Sequence, residues 1–215
     1  MSRTKGIIFD CDGVLFESLQ ANLAYYNTVF ERCGFPLVRE DQPDKVHVCH
    51  TASTPQVFSS LLSPEQAQQA LAVARELDYR QFIPLMVPEP DLQEVLQHLQ
   101  EKHSLAVATN RGRGVKELLL HFDLDNFFTT VVSSADVARP KPHPDMLLLA
   151  AERLGLETCE LLFVGDSELD CQAAEKADIP FVSYKNNFSG QPAIEGHRDL
   201  LPLLGRMAAS SPEYS

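Results

Sequence analysis

Short apolar runs separated by longer amphipathic stretches constrain this chain more than any other feature. The runs are Gly6–Asp10, Leu105–Thr109, Thr129–Ser134, Leu161–Gly165 and Pro180–Tyr184. Most are apolar at successive positions, as strands covered on both faces must be. Between them, Asp91–Lys102 places Leu92, Val95, Leu96 and Leu99 on one helical face. Val115–Phe122, Asp145–Leu154 and Glu168–Ala177 repeat that pattern. From Pro88 onward helix and strand alternate, which predicts an α/β fold with a parallel sheet between two helical layers.

One stretch breaks the alternation. After the first run about 90 residues pass before the next, far beyond an ordinary crossover. Helices are expected there at Ser18–Arg32 and Ser63–Arg80. The second has a strong start signal in Ser63 as cap, Pro64 at the first helical position and Gln66 three residues after the cap. Residues 15–87 therefore form an expected helical insert, with 1–14 and 88–215 as a Rossmann-like core. Pro84, Pro88 and Pro90 mark the return. The tail after Arg206 is expected to fray.

Composition narrows the function. Length 215 suits one main domain with a subdomain, and 44% apolar residues suffice for a core. Lys+Arg 18 against Asp+Glu 30 gives −12, without the basic footprint of a nucleic-acid binder. Cys11, Cys33, Cys49, Cys159 and Cys171 include no C-x-x-C pair, which argues against zinc and for reduced thiols. The N-terminal apolar run is too short for a signal peptide, and no stretch approaches transmembrane length. A cytoplasmic protein is expected, a monomer or homodimer acting on a small molecule, with no membrane or nucleic-acid partner.

The chemistry-bearing residues cluster where the runs end. The first run closes as FDCDGVL, and in extended chain Asp10 and Asp12 project to one side. Asp-Gly also suits a hairpin, but the following VLFESLQANLAYY reads as a helix. The second run ends ATNRG. Thr109 and Asn110 either cap the next turn or face an anion at a helix start. Arg111 and Arg113 read as solvated. Lys141 stands in a loop stiffened by Pro140, Pro142 and Pro144, with His143 read as a cap or surface residue. The fourth run ends FVGDSELD. There Ser167 and Asp170 suit a capping box, while Asp166 and Asp170 also share a face one turn apart. Ends of parallel strands converge on one crevice. Four carboxylates meeting there would repel one another unless a cation joined them, and hard oxygen ligands select magnesium.

Taken together and in this order, FDCDGVL, ATN, KPHP and GDSELD resemble the motifs of haloacid dehalogenase-like hydrolases. The helical insert is similar to the cap of the subgroup holding phosphoglycolate phosphatase and β-phosphoglucomutase. The resemblance runs from Lys5 to about Leu204. It implies an Mg2+-dependent phosphatase acting on a small phosphorylated metabolite. In that reading Asp10 is the nucleophile that forms an aspartyl-phosphate, and Asp12 is the general acid and base. Thr109, Asn110 and Lys141 hold the phosphoryl oxygens. Asp10, Asp12 through its backbone carbonyl, and Asp166 hold the metal, with Asp170 supporting that shell or Lys141. One departure is Glu17 before Ser18, where the family commonly has Asp.

Three rival readings share parts of this pattern. A phosphosugar mutase uses the same core but needs cap residues that grip a sugar phosphate. Arg39, Lys45, His47, His50 and Arg80 are the candidates, each readable as an ordinary surface or core residue. A dehalogenase would not need Asp12, because a halide leaves without a proton. A phospho-accepting receiver domain lacks a long insert after its first strand.

Overall fold

The computed structural model describes residues 4–112, 114–188 and 190–209. Strand β1 (Gly6–Phe9) is followed by β2 (Phe16–Glu17) and helices α1 (Leu19–Cys33), α2 (Pro43–Thr51), α3 (Thr54–Leu61) and α4 (Pro64–Glu76). A 3-10 turn at Tyr79–Leu85 leads to β3 (Val87–Pro88). The remainder alternates through α5 (Leu92–Gln100), β4 (Ser104–Thr109), α6 (Val115–His121), β5 (Thr130–Ser133), α7 (Asp145–Leu154), β6 (Leu161–Gly165), α8 (Glu168–Ala177), β7 (Phe181–Tyr184), β8 (Ala193–Ile194) and α9 (Leu200–Ala209).

The main sheet is parallel throughout, in the order β5-β4-β1-β6-β7-β8. Strand β1 lies in the middle, which is why GIIF is buried at every position. Successive residues serve opposite layers: Ile7 and Phe9 join one apolar cluster and Ile8 joins the other. The second cluster is rich in alanine, with Ala106, Ala108, Ala150, Ala151, Ala173 and Ala174, so α7 and α8 pack close to the sheet. The first cluster is bulkier and runs on into the insert.

The insert has an aromatic heart. Tyr25 meets Phe82 edge to face at 5.6 Å, and Phe58 meets Tyr26 at 5.7 Å and Phe30 at 5.9 Å. It connects to the core through the antiparallel pair β2–β3, in the register Phe16↔Pro88 and Glu17↔Val87. Both linkers are tied down. The amide of Glu89 donates to the Leu15 carbonyl, and His197 Nε2 donates to the Val14 carbonyl at 2.7 Å. The buried Glu89 carboxylate accepts from Tyr184 at 2.9 Å and Lys185 at 2.7 Å.

The structure adds to the sequence reading and corrects it. The helix expected at Ser63–Arg80 ends at Glu76. Leu77 turns extended and inward, and Asp78 caps the following 3-10 turn through the Arg80 amide. Helices α2 and α3 are too short to show a period, although each carries proline in its first turn. The chain stays helical through Ala209, past the point where fraying was expected. Residues 210–215 and Arg113 lie outside the described residues. Among the described residues no helix is long and apolar enough to cross a membrane.

Candidate active site

The sheet brings its polar residues to one edge. Beyond β1, the Asp10 amide still bonds the Val164 carbonyl at 2.9 Å, which holds Asp10 at the strand tip beside β6. The chain then turns sharply at Gly13, with φ +73. Only glycine fits there, because a Cβ would stand 2.1 Å from Asp166 Oδ2. A second close approach fixes Gly165, whose added Cβ would stand 2.5 Å from the Asp170 Cβ.

Lys141 is 1% exposed, with its ammonium 2.9 Å from Asp10 and 2.5 Å from Asp170. Asn110 fixes the lysine backbone on both sides. Its Oδ1 accepts from the Lys141 amide at 3.0 Å, and its Nδ2 donates to the Lys141 carbonyl at 3.1 Å. The same Nδ2 donates to the Thr51 carbonyl at the end of α2, a direct tie to the insert. Thr109 is buried at the tip of β4, where its hydroxyl accepts the Arg111 amide. Asp170 accepts from the Ser167 hydroxyl at 2.5 Å and amide at 3.0 Å, so both of its oxygens are occupied. The Asp166 carbonyl accepts from Asn186 at 2.6 Å.

Asp10, Asp166 and Asp170 each offer an oxygen within 4.8 Å of the other two. Three carboxylates thus share the neighbourhood of one ammonium, which pairs with Asp10 and Asp170. Burial, Asp170 and Asp12 together outweigh Lys141 and push Asp10 up to about 7. Burial, Asp170 and Asp10 likewise raise Asp166 well above the carboxylate range. Burial works against the Lys141 ammonium, but Asp10 and Asp170 prevail and raise it. This excess of negative charge on hard oxygen donors suits a divalent cation such as magnesium.

The Asp12 carboxylate is not part of that cluster. It accepts from Arg111 through Nε at 3.1 Å and through Nη2, from the Ser18 hydroxyl, and from Asn22 at 3.1 Å. Burial pulls Asp12 up, but Arg111 and Ser18 prevail and hold it below its ordinary value. The sequence reading of Arg111 as solvated is therefore corrected: it is 8% exposed, lies 5.0 Å from the Tyr79 ring and donates to Asn22 at 2.9 Å. Ser18 and Asn22 are not read as site residues from the sequence, although the α1 cap and the residue four positions on lie on one side of the helix. His50 is the one mutase candidate at the crevice, 4.0 Å from Asp166. Arg39 and Arg80 instead pair with Asp41 and Asp78 in solvent, and Lys45 and His47 are exposed. A cavity of about 1030 Å³ lies by the opposite ends of β6 and β7, at Leu161 and Phe181, away from all these residues.

A model of the haloacid dehalogenase-like hydrolases matches residues 7–184. A phosphoglycolate phosphatase of Shigella boydii is 29% identical over 94% of this chain and 92% of its own length. A solved hydrolase of subfamily IA from Geobacter sulfurreducens is 37% identical, with TM-score 0.82 over 93% of this chain and 99% of that one. CbbY from Rhodobacter sphaeroides, solved with phosphate, shares the fold at TM-score 0.76 and 20% identity, over 92% of this chain and 96% of that one. The matched span holds every carboxylate described above, from Asp10 to Asp170, together with Lys141, and the chain belongs to the haloacid dehalogenase-like hydrolases.

Proposed function

We propose that this chain is an Mg2+-dependent phosphatase that hydrolyses a small phosphorylated metabolite through an aspartyl-phosphate at Asp10. The observation that carries the reading is the meeting of Asp10 with Lys141 at 2.9 Å and with Asp166 and Asp170 within 4.8 Å. The phosphatase relatives add support. A cytoplasmic setting belongs to the same proposal.

In this mechanism Asp10 attacks phosphorus in line, and the bond to the leaving oxygen breaks. Asp12, on leaving Arg111, takes up a proton and gives it to that oxygen, then takes one from the water that attacks the aspartyl-phosphate. Inorganic phosphate leaves, and the Asp10 carboxylate is restored. Lys141 and Thr109 hold the phosphoryl oxygens, where charge lies in the transition state. Asn110 acts by fixing the Lys141 backbone. Asp10 and Asp166, with the Asp12 carbonyl, would hold magnesium, while Asp170 anchors Lys141. When bound, the ion offsets repulsion between the nucleophile and the phosphate. Residues 15–87 act as a cap that shields the crevice from bulk water.

The test is phosphate release from a panel of phosphorylated metabolites, with magnesium and with chelator. Release that needs magnesium, together with acid-labile phosphate trapped on Asp10, is expected. Turnover that survives chelation, or label on another residue, would overturn the reading.

A further inference from the structure

The cap side of the crevice contains a buried cation that the reaction above does not use. The Arg111 side chain is 4% exposed, yet it belongs to neither the phosphoryl-binding group nor the acidic cluster. It sits where core and cap meet, between Asp12 of the core, Asn22 of α1 and the Tyr79 ring.

Its position bears on the leaving group. An acid engaging an ester oxygen stands about 2.7 Å from it. Arg111 Nε stands 3.1 Å from an oxygen of that same acid. Atoms bonded to the ester oxygen therefore fall within about 7 Å of the guanidinium, inside the swing of an arginine side chain. The present pairing also changes during reaction, because each Asp12 oxygen accepts from Arg111 and one of them must carry the proton for the leaving group. Oδ1 of Asp12 accepts from Ser18, Asn22 and Arg111, and Oδ2 accepts from Arg111. When Asp12 turns to the leaving group, those guanidinium N–H groups must find another acceptor, because a buried, unpaired guanidinium is costly. Asn22 alone is neutral. Among the described residues Asp12 is the only carboxylate with which Arg111 forms an ion pair.

Resting on the phosphatase reading, we infer that Arg111 is a specificity-determining residue that takes up an anionic group, carboxylate or phosphate, carried on the leaving group next to the ester oxygen. The substrate's own anion then replaces Asp12 on the guanidinium and frees Asp12 to act. Esters without that anion leave Arg111 on Asp12 and react slowly.

The test uses the full chain with magnesium and three two-carbon esters: phosphoglycolate, ethylene glycol bisphosphate and hydroxyethyl phosphate. The wild type should favour one or both anionic esters over the neutral one by about 100-fold in kcat/KM. The first two esters separate a carboxylate reader from a phosphate reader. Arg111→Gln should reduce that preference to about fivefold or less, mainly through KM of the anionic ester, and Arg111→Lys should restore part of it. If Arg111 only positions Asp12, Arg111→Gln would slow all three esters equally, which overturns the inference. A wild type indifferent to the anion overturns it even if the variants do not fold. Magnesium-dependent turnover without selectivity would leave the phosphatase reading standing, whereas no turnover of any phosphate ester would remove both.

Discussion

Asp10 and Asp12 are two residues apart on one strand tip, both buried, and their environments push them in opposite directions. Asp10 belongs to a core-side group with more carboxylates than its single ammonium can balance. Asp12 belongs to a group at the cap interface in which one guanidinium and two neutral donors satisfy one carboxylate. Burial is common to both, so partner count decides the outcome. The first group carries an excess of negative charge, and in the second the charges balance.

The contrast can be broken most severely at Asp10. Asp10→Asn keeps the shape but removes the proposed nucleophile, so phosphate release should fall by about a thousandfold or more. Appreciable residual turnover in a folded variant would count against the assignment.

Lys141→Met removes the one cation of the core-side group. Leaving buried carboxylates without it should cost about 3–5 kcal/mol of stability in the absence of magnesium, read by denaturant unfolding. The equivalent midpoint for wild type and variant would contradict the charge argument.

Magnesium and pH act on the same excess of charge. The folded chain holds Asp10 at about 7, against 3.8 for the free side chain, and Asp166 is raised too. Between about pH 4 and pH 7 the native state without metal therefore binds more protons than the unfolded chain, and rising pH lowers stability. A cation removes that loss, so magnesium should raise Tm more at about pH 8 than at about pH 5. At about 100 times its Kd it should add roughly 2.7 kcal/mol. His197, held low by burial, destabilises on acidification instead, so the magnesium difference rather than raw Tm is the readout. Equal magnesium shifts at both pH values would refute the account.

The smallest effect is expected at the joint between the regions. Asn110→Ala frees the Lys141 backbone and the Thr51 carbonyl, and should cost about 1–3 kcal/mol with a weaker grip on phosphate analogues. Unchanged stability and unchanged vanadate inhibition would show that Asn110 is dispensable.

Much of this arrangement could be read from the residues alone, for physical reasons. Runs such as GIIFD and LLFVG are apolar on both faces because the observed sheet is covered on both faces. Strand ends converge, so acidic residues at the tips of β1 and β6 could be brought together in advance. What lay hidden depends on the return of distant chain. Arg111 reads as solvated until α1 and Tyr79 fold over it. The β2–β3 pair has two residues on each side, too few for any pattern. Helices α2 and α3 span 9 and 8 residues, little more than two turns each.

The turn at Gly13 interlocks two parts of the machine. With Asp166 seated directly against its Cα, the loop leaving β1 and the loop leaving β6 share one volume, and neither can shift without displacing the other. The first joint between the insert and the sheet beyond residue 13 is the strand pair at Phe16–Glu17 and Val87–Pro88. The spacing of the carboxylates at the tips of β1 and β6 is thus set within the sheet, not by the helices above it.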